Sequence, residues 1–200
     1  LQYSFDAWNY RSSASPTKAY FLPDDSSGYL YDAISLLMSH GVRVERATAD
    51  FSVEALNYRS GKTERKTLSK GTFIVPAKQP RHLFIHSVME RNMALEDSVM
   101  YDVSTWSIPL AFNLEAWSTT GDYKFAAERL EKAPEYPSGL LAPDARYAYV
   151  IEWKQRHAPK ALAALWEKGY RVRAAKEPFS DGRMRYGEGT LIVLAGANLD

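Results

Sequence analysis

Cysteine is missing from this chain of 200 residues. Its absence excludes disulfide bonds, thiolate zinc sites and every mechanism that uses a cysteine nucleophile. An excess of charge is also missing: 25 lysines and arginines face 24 aspartates and glutamates, so no overall field draws the chain to nucleic acid or anionic lipid. No uninterrupted apolar run approaches the roughly 20 residues that a membrane-spanning helix needs.

Local catalytic motifs are scarce as well. The sequence has no glycine-rich phosphate-binding loop and no Gly-x-Ser-x-Gly motif. His82, His86 and Glu90 are spaced four residues apart and would lie on one side of a helix, as metal ligands do. We favour an amphipathic helix over a metal site, because no further ligand motif lies nearby. We therefore predict no catalytic residue, no metal site and no cofactor in this chain.

Two parts of the sequence look like copies of each other. The matching strings are Ala19-Tyr-Phe-Leu22 with Ala148-Tyr-Val-Ile151, His40-Gly-Val-Arg-Val44 with Lys168-Gly-Tyr-Arg-Val172, and Lys70-Gly-Thr-Phe-Ile-Val75 with Glu188-Gly-Thr-Leu-Ile-Val193. Helical periodicity at 28–39 and 159–168 separates the first two strings of each copy. A strand, a helix and a strand in so few residues predict a right-handed crossover between parallel strands. The predicted fold class is therefore α/β, with two related strand–helix–strand units that form or share mixed, mainly parallel sheets.

The predicted domain boundaries follow from these copies. Residues 1–17 form an N-terminal extension, 18–100 the first α/β unit, 101–145 a connecting segment and 146–200 the second unit. Inside the first unit we expect a strand at 51–58, a charged turn around Gly61 and a helix that starts at Gln79-Pro80. Asp181-Gly182 predicts a tight turn in the second. We expect the chain to be part of a longer polypeptide.

The best polar cluster lies in the aromatic stretch 101–112. Tyr101 and Trp106 could form a platform for a ligand that Asp102 holds. The alternative is structural: Asp102 caps a short helix and Trp106 is buried between the copies. A third possibility is a hydrolase site assembled from Asp102, a serine and His82 or His86.

A family resemblance rests on two strings, Gly71-Thr-Phe-Ile-Val-Pro-Ala-Lys-Gln-Pro80 and Tyr101-Asp-Val-Ser-Thr-Trp-Ser-Ile-Pro-Leu110. They resemble the region downstream of the catalytic domain in large bacterial zinc carboxypeptidases of the carboxypeptidase A type. Those proteins continue into a part that is similar to class I glutamine amidotransferases. The resemblance spans most of residues 19–195. It implies that the zinc site, a His-x-x-Glu pair with a later His, lies before Leu1, because no His-x-x-Glu occurs here.

The resemblance implies a non-catalytic accessory domain. Such a domain would pack on or modulate the upstream peptidase domain of the same polypeptide, or bind part of its substrate. The alternative function is an independent module that binds a small ligand, either a peptide or a glycan. The expected partners are that peptidase domain and, for the alternative function, a peptide or glycan, with no nucleic acid and no membrane span. The resemblance also implies a periplasmic or secreted protein, with zinc only in the upstream domain.

Overall fold

The computed structural model describes residues 16–25, 27–91, 107–136 and 144–198. The chain divides into two compact units. The first unit comprises Leu1–Asp25 and Leu30–Glu135, and the second comprises Ser26–Tyr29 and Tyr136–Asp200. No helix of the described residues is long and apolar enough to cross a bilayer.

The first unit is built on a seven-stranded sheet in the order β4-β3-β6-β1-β5-β2-β7. Its strands are β1 (Ala19–Leu22), β2 (Glu45–Ala47), β3 (Phe51–Asn57), β4 (Thr63–Leu68), β5 (Phe73–Pro76), β6 (Trp117–Thr119) and β7 (Ala127–Arg129). Its helices are α1 (Tyr29–Ser39), α2 (His82–Met89) and the single turn α3 (Ile108–Ala111). The segment 101–145, expected as a connection, thus supplies α3, β6 and β7.

The predicted α/β fold with mainly parallel sheets is wrong, because every strand pair within the described residues is antiparallel. β1, α1 and β2 do follow one another, but β5 lies between the two strands and pairs with both. β1 and β2 therefore point in the same direction without being neighbours. The strand–helix–strand pattern of the sequence predicted the crossover between β1 and β2. It did not indicate that the later strand β5 would lie between them.

Apolar side chains cover both faces of this sheet. On one face, α1 buries Leu30, Ala33, Ile34 and Leu37, and Tyr31 meets the Phe73 ring edge-on at 6.0 Å. The opposite face holds a cluster of alternate strand residues: Ala19, Phe21, Ala47, Phe51, Val53, Ala55, Leu68, Ile74 and Trp117. Stacking of Phe125 on Phe51 at 3.9 Å adds an aromatic cover over this cluster. The first unit therefore has a core on each side of its sheet.

The second unit repeats the central part of this arrangement. Its three-stranded antiparallel sheet has the order β8-β12-β9, with β8 (Ala148–Ile151), β9 (Arg173–Ala174) and β12 (Leu191–Leu194). The helix α4 (Ala158–Glu167) connects β8 to β9, and the small hairpin β10 (Phe179–Ser180) and β11 (Arg185–Tyr186) precedes β12. A 3-10 turn at Ala195–Ala197 ends the described chain. Here too the central strand comes later in the sequence than the two strands that it pairs with.

The strand registers of the two units agree residue by residue. Tyr20 faces Val75 in the first unit, and Tyr149 faces Val193 in the second. Each residue of β1 lies opposite the position of β5 that corresponds to its counterpart's partner in β12. The pairing of β2 with β5 corresponds in the same way to that of β9 with β12.

The turns before the two central strands agree in their side-chain bonds too. The hydroxyl of Thr72 donates to the carbonyl of Ser69 at 2.8 Å, and that of Thr190 donates to the carbonyl of Gly187 at 2.7 Å. Gly71 and Gly189 precede these threonines with φ of 93° and 74°, a conformation that favours glycine. The same residue types thus make the same turn in both units.

Candidate functional site

The predicted ligand-binding residues Tyr101, Asp102 and Trp106 lie outside the described residues. That prediction, and the hydrolase site that would include Asp102, therefore remain predictions. The structure does describe three other features that could bind or react: a partly buried carboxylate cluster and a polar cleft in the first unit, and a set of exposed aromatic side chains in the second.

The carboxylate cluster forms where α2 ends against the sheet. Glu90 follows α2 directly, and its Oε1 accepts hydrogen bonds from the Tyr20 phenol at 2.6 Å and the Thr17 hydroxyl at 3.1 Å. His86 Nδ1 lies 3.2 Å from the same oxygen, one helical turn earlier. Only 18% of the Glu90 side chain is exposed. Three polar groups thus converge on one half-enclosed carboxylate.

A second tyrosine ties the same helix end to β3. The phenol of Tyr58 donates to the main-chain carbonyl of Met89, and the Arg91 guanidinium donates to the Tyr58 carbonyl at 2.7 Å. Burial, reinforced by the nearby Glu90 charge, raises the pKa of both Tyr20 and Tyr58 well above the ordinary tyrosine range. Both phenols therefore stay protonated and act as hydrogen-bond donors. The cluster uses its polar groups to hold the end of α2.

His82 and His86 have different surroundings, although the sequence predicted one shared side of the helix. His82 is buried, and desolvation, assisted by the charge of His86, lowers the pKa of its imidazole. His86 instead reaches Glu90. Within the described ranges there is no group of three or more His, Asp or Glu residues that could hold a metal ion.

The polar cleft lies on the first unit beside β3, β4 and β6, and has a volume of about 390 Å³. Its lining residues are Asp25, Asn57, Arg59, Glu64, Arg65, Lys66, Glu115 and Trp117. The Lys66 ammonium lies 3.3 Å from Glu115 Oε1 and 4.9 Å above the centre of the Trp117 ring. The Trp117 indole N–H donates to the same carboxylate at 2.9 Å. Charged groups of both signs are thus fixed close together at the surface.

This cleft can pair with the charges of a small polar ligand. Trp117 is only 2% exposed and Lys66 lies over its ring, so the indole supports the cleft and does not offer a stacking face. Arg59 is held near the rim by bonds of 3.3 Å to the carbonyl and side chain of Asn113. The volume is close to the lower limit for small-ligand sites, about 300 Å³.

The second unit exposes large apolar side chains. Tyr147 is 82% exposed and Trp166 is 62% exposed, and Trp153, Tyr170 and Met184 are also accessible. The helix α4 buries only Ala158, whereas α1 of the first unit buries five residues. Leu162 and Leu165 are half-buried, although Ile34 and Leu37 at the matching positions of α1 are completely buried. The apolar side of α4 is therefore incompletely covered within the described residues.

Sequence reasoning missed both features of the first unit. In the sequence, Tyr20 lies in the apolar string Ala19-Tyr-Phe-Leu22, and Lys66 lies close to the charged turn around Gly61. Glu90 was noted only for its spacing from the histidines. No local signal marks these sites, because their members come from segments that lie far apart in the chain. Trp166, in the helix of the second unit, is exposed.

Comparisons with protein-family models, curated proteins and solved structures found no match to this chain. The sequence-based description of the chain as part of a peptidase and amidotransferase protein therefore has no support from these comparisons. Its α/β component is wrong, since the sheets of the described residues are antiparallel.

Proposed function

We propose that this chain is a non-catalytic accessory domain that packs on another polypeptide through its second unit. The observation that carries the proposal is the set of exposed aromatic residues there, above all Tyr147 and Trp166. Tyrosine and tryptophan are enriched where proteins bind each other, because each buries a large area with few rotatable bonds.

The comparison with the first unit strengthens this argument. The matching positions of the two helices have the same apolar character, but among the described residues those of α1 are buried and those of α4 are mostly half-buried. A helix whose apolar side stays half open gains stability when a partner removes that surface from water, at about 25 cal/mol per Å². The accessible surface of α4 is therefore suited to a protein contact.

The non-catalytic character is supported by how the polar groups are used. The Glu90 carboxylate is satisfied by Tyr20, Thr17 and His86, and Glu115 is held by Lys66 and Trp117. These groups stabilise the first unit by binding one another. The upstream peptidase domain, expected from the resemblance, remains the predicted partner.

Site-specific crosslinking tests the proposal. A photoreactive phenylalanine analogue replaces Tyr147 or Trp166 in the natural host, with Glu128 of the first unit as the control position. We expect both positions of the second unit to crosslink to the same polypeptide, mapped by peptide sequencing, and the control position not to do so. Absence of a common crosslinked partner, or crosslinks only between copies of this chain, contradicts the proposal.

A second candidate function is the binding of a short peptide or glycan in the polar cleft, favoured by its volume and its fixed charges of both signs. Titration with dipeptide and oligosaccharide panels, followed through the indole N–H resonance of Trp117, tests it. A bound ligand should shift this resonance, and Lys66→Met should abolish the shift. Unchanged resonances at millimolar ligand exclude this function for the compounds in those panels.

A further inference from the structure

We propose that the outer edge of β8 receives an extended strand of the partner polypeptide, which adds antiparallel to the sheet of the second unit. The proposal rests on the proposed function, because it specifies how the partner is held. It follows from the composition of the sheet edges, from the direction of the backbone groups of β8, and from a pairing that the first unit already contains.

The composition of β8 differs from that of the other edge strands. Among the other described strands that end a sheet, β4, β7, β9 and β11 each include charged residues, such as Lys66, Glu128 and Arg173, and the uncharged β10 has only two residues. Charged residues on an edge discourage pairing with other chains. β8 reads Ala-Tyr-Val-Ile, with no charge and no proline, and β12 is its only partner among the described strands. Among the described strands, the edge of β8 therefore lacks the charges and proline that discourage strand addition elsewhere.

The backbone of β8 presents hydrogen-bonding groups to that edge. The Ala195 N–H donates to the carbonyl of Tyr147 at 2.9 Å, so Tyr147 and Ala195 form a hydrogen-bonded pair between β8 and β12. In an antiparallel ladder such pairs alternate, which assigns the groups of Tyr149 to β12 as well. The N–H and C=O groups of Ala148 and Val150 therefore point away from β12, towards the outer edge. An added strand offers complementary N–H and C=O groups to them in series.

The first unit shows which strand fits such an edge. At the matching edge of β1, strand β6 pairs antiparallel, with Ala19 opposite Thr119, Tyr20 opposite Ser118 and Phe21 opposite Trp117. Since β1 and β8 have the same register against their central strands, the same geometry applies at Ala148, Tyr149 and Val150. The incoming strand should therefore carry a small residue opposite Tyr149 and a large apolar residue opposite Val150. That large residue would cover Val150 and Ile192, which are only half-buried in the second unit.

A synthetic peptide with the sequence of residues 113–121, which contains β6, is the probe. We expect it to bind the intact chain and to slow amide exchange at Ala148 and Val150, measured by NMR. Val150→Pro removes an outward N–H without removing a bond to β12, and should weaken binding about 10-fold. Two controls keep the other features: Val150→Thr retains the N–H and the shape, and Ala174→Pro removes an outward N–H at the opposite, charged edge. Both should bind within about two-fold of the unchanged chain.

The exchange measurement on the unchanged chain keeps the test valid if Val150→Pro does not fold. Absence of binding, changes confined to the first unit, or self-association through β8 that Val150→Pro abolishes would each overturn the proposal. Failure here is distinguishable from failure of the proposed function. Crosslinking from Trp166 to a partner without protection of β8 refutes only the strand addition. Protection of β8 by the peptide without a crosslinked partner refutes only the packing function.

Discussion

Replacement of Tyr20 by phenylalanine tests the carboxylate cluster with a single atom. The phenol is 1% exposed, and its removal eliminates a hydrogen bond of 2.6 Å to a half-enclosed carboxylate while the ring stays in place. Hydrogen bonds to charged groups contribute about 1.5–3 kcal/mol. Glu90 keeps Thr17 and His86 as partners and has limited access to water. We therefore expect the first unit to lose about 2 kcal/mol of unfolding free energy.

Tyr58→Phe is the matched control. Its phenol is equally buried but donates to a neutral main-chain carbonyl, that of Met89. A bond between neutral groups contributes about 1 kcal/mol, so this variant should lose about half as much stability as Tyr20→Phe. Urea unfolding, followed through the NMR amide signals of β1 and β5, measures the first unit without interference from the second.

A double-mutant cycle with Glu90→Gln isolates the charge. In the glutamine background the Tyr20→Phe loss should fall to about 1 kcal/mol, because the acceptor is now neutral. Equal losses for Tyr20→Phe and Tyr58→Phe, or no coupling between Tyr20 and Glu90, would refute the reasoning. Such results would mean that the phenol donates to water or that the carboxylate is solvated.

Three further outcomes follow from other contacts. The buried tyrosines Tyr20 and Tyr58 keep their protons in the folded state, whereas tyrosine in the unfolded chain ionises near pH 10. Their contribution to stability is therefore complete below that pH and falls above it, by up to about 1.4 kcal/mol per pH unit for each tyrosine. Urea unfolding between pH 9 and 11 measures this slope, which Tyr58→Phe should reduce. Gly71→Ala and Gly189→Ala should each cost about 1 kcal/mol in their own unit, measured by amide exchange, because both glycines have positive φ; an unchanged unit would disprove the strain. Gln79→Ala should cost about 2 kcal/mol in thermal unfolding, since its buried amide accepts from the Arg43 N–H and donates to the Arg43 carbonyl, and retained stability would show that water replaces it.

Local elements could be predicted from the sequence because their signals are short-range. The helix expected at 28–39 is found at Tyr29–Ser39, and the one expected at 159–168 is found at Ala158–Glu167. The turn predicted at Asp181-Gly182 connects β10 and β11. The periodicity of apolar residues and the glycines at turns depend only on residues close together in the chain, so both can be recognised in a single sequence.

The sheet order could not be predicted in the same way. The crossover from β1 to β2 suggested a parallel pair, and this failed because β5, more than 25 residues after β2, fits between them with backbone bonds to both. An apolar strand such as Phe73–Pro76 matches an edge or a centre equally well in a sequence pattern. Its place is decided by long-range packing on α1 and on the Phe51 cluster.

The carboxylate cluster was beyond sequence reasoning for a related reason. Thr17 and Tyr20 are separated from Glu90 by 73 and 70 positions, and no spacing rule connects them. Tyr20 also lies within an apolar strand, where its hydroxyl gives no signal of a charged partner. Only the antiparallel sheet, which places the end of α2 beside β1, brings these groups together.

The position of the central strands has a consequence for how the chain acquires its structure during synthesis. In each unit, the two strands beside the central strand cannot satisfy their inner backbone groups until the central strand has emerged, and for β1 that means waiting for residue 76. Until then, β1, α1 and β2 have exposed apolar surface and unsatisfied edges, the state in which nascent chains recruit chaperones or aggregate. Arrival of the Gly-Thr turn and the strand behind it joins the two flanking strands in one step, so the pairing of these strands in each unit waits for the central strand.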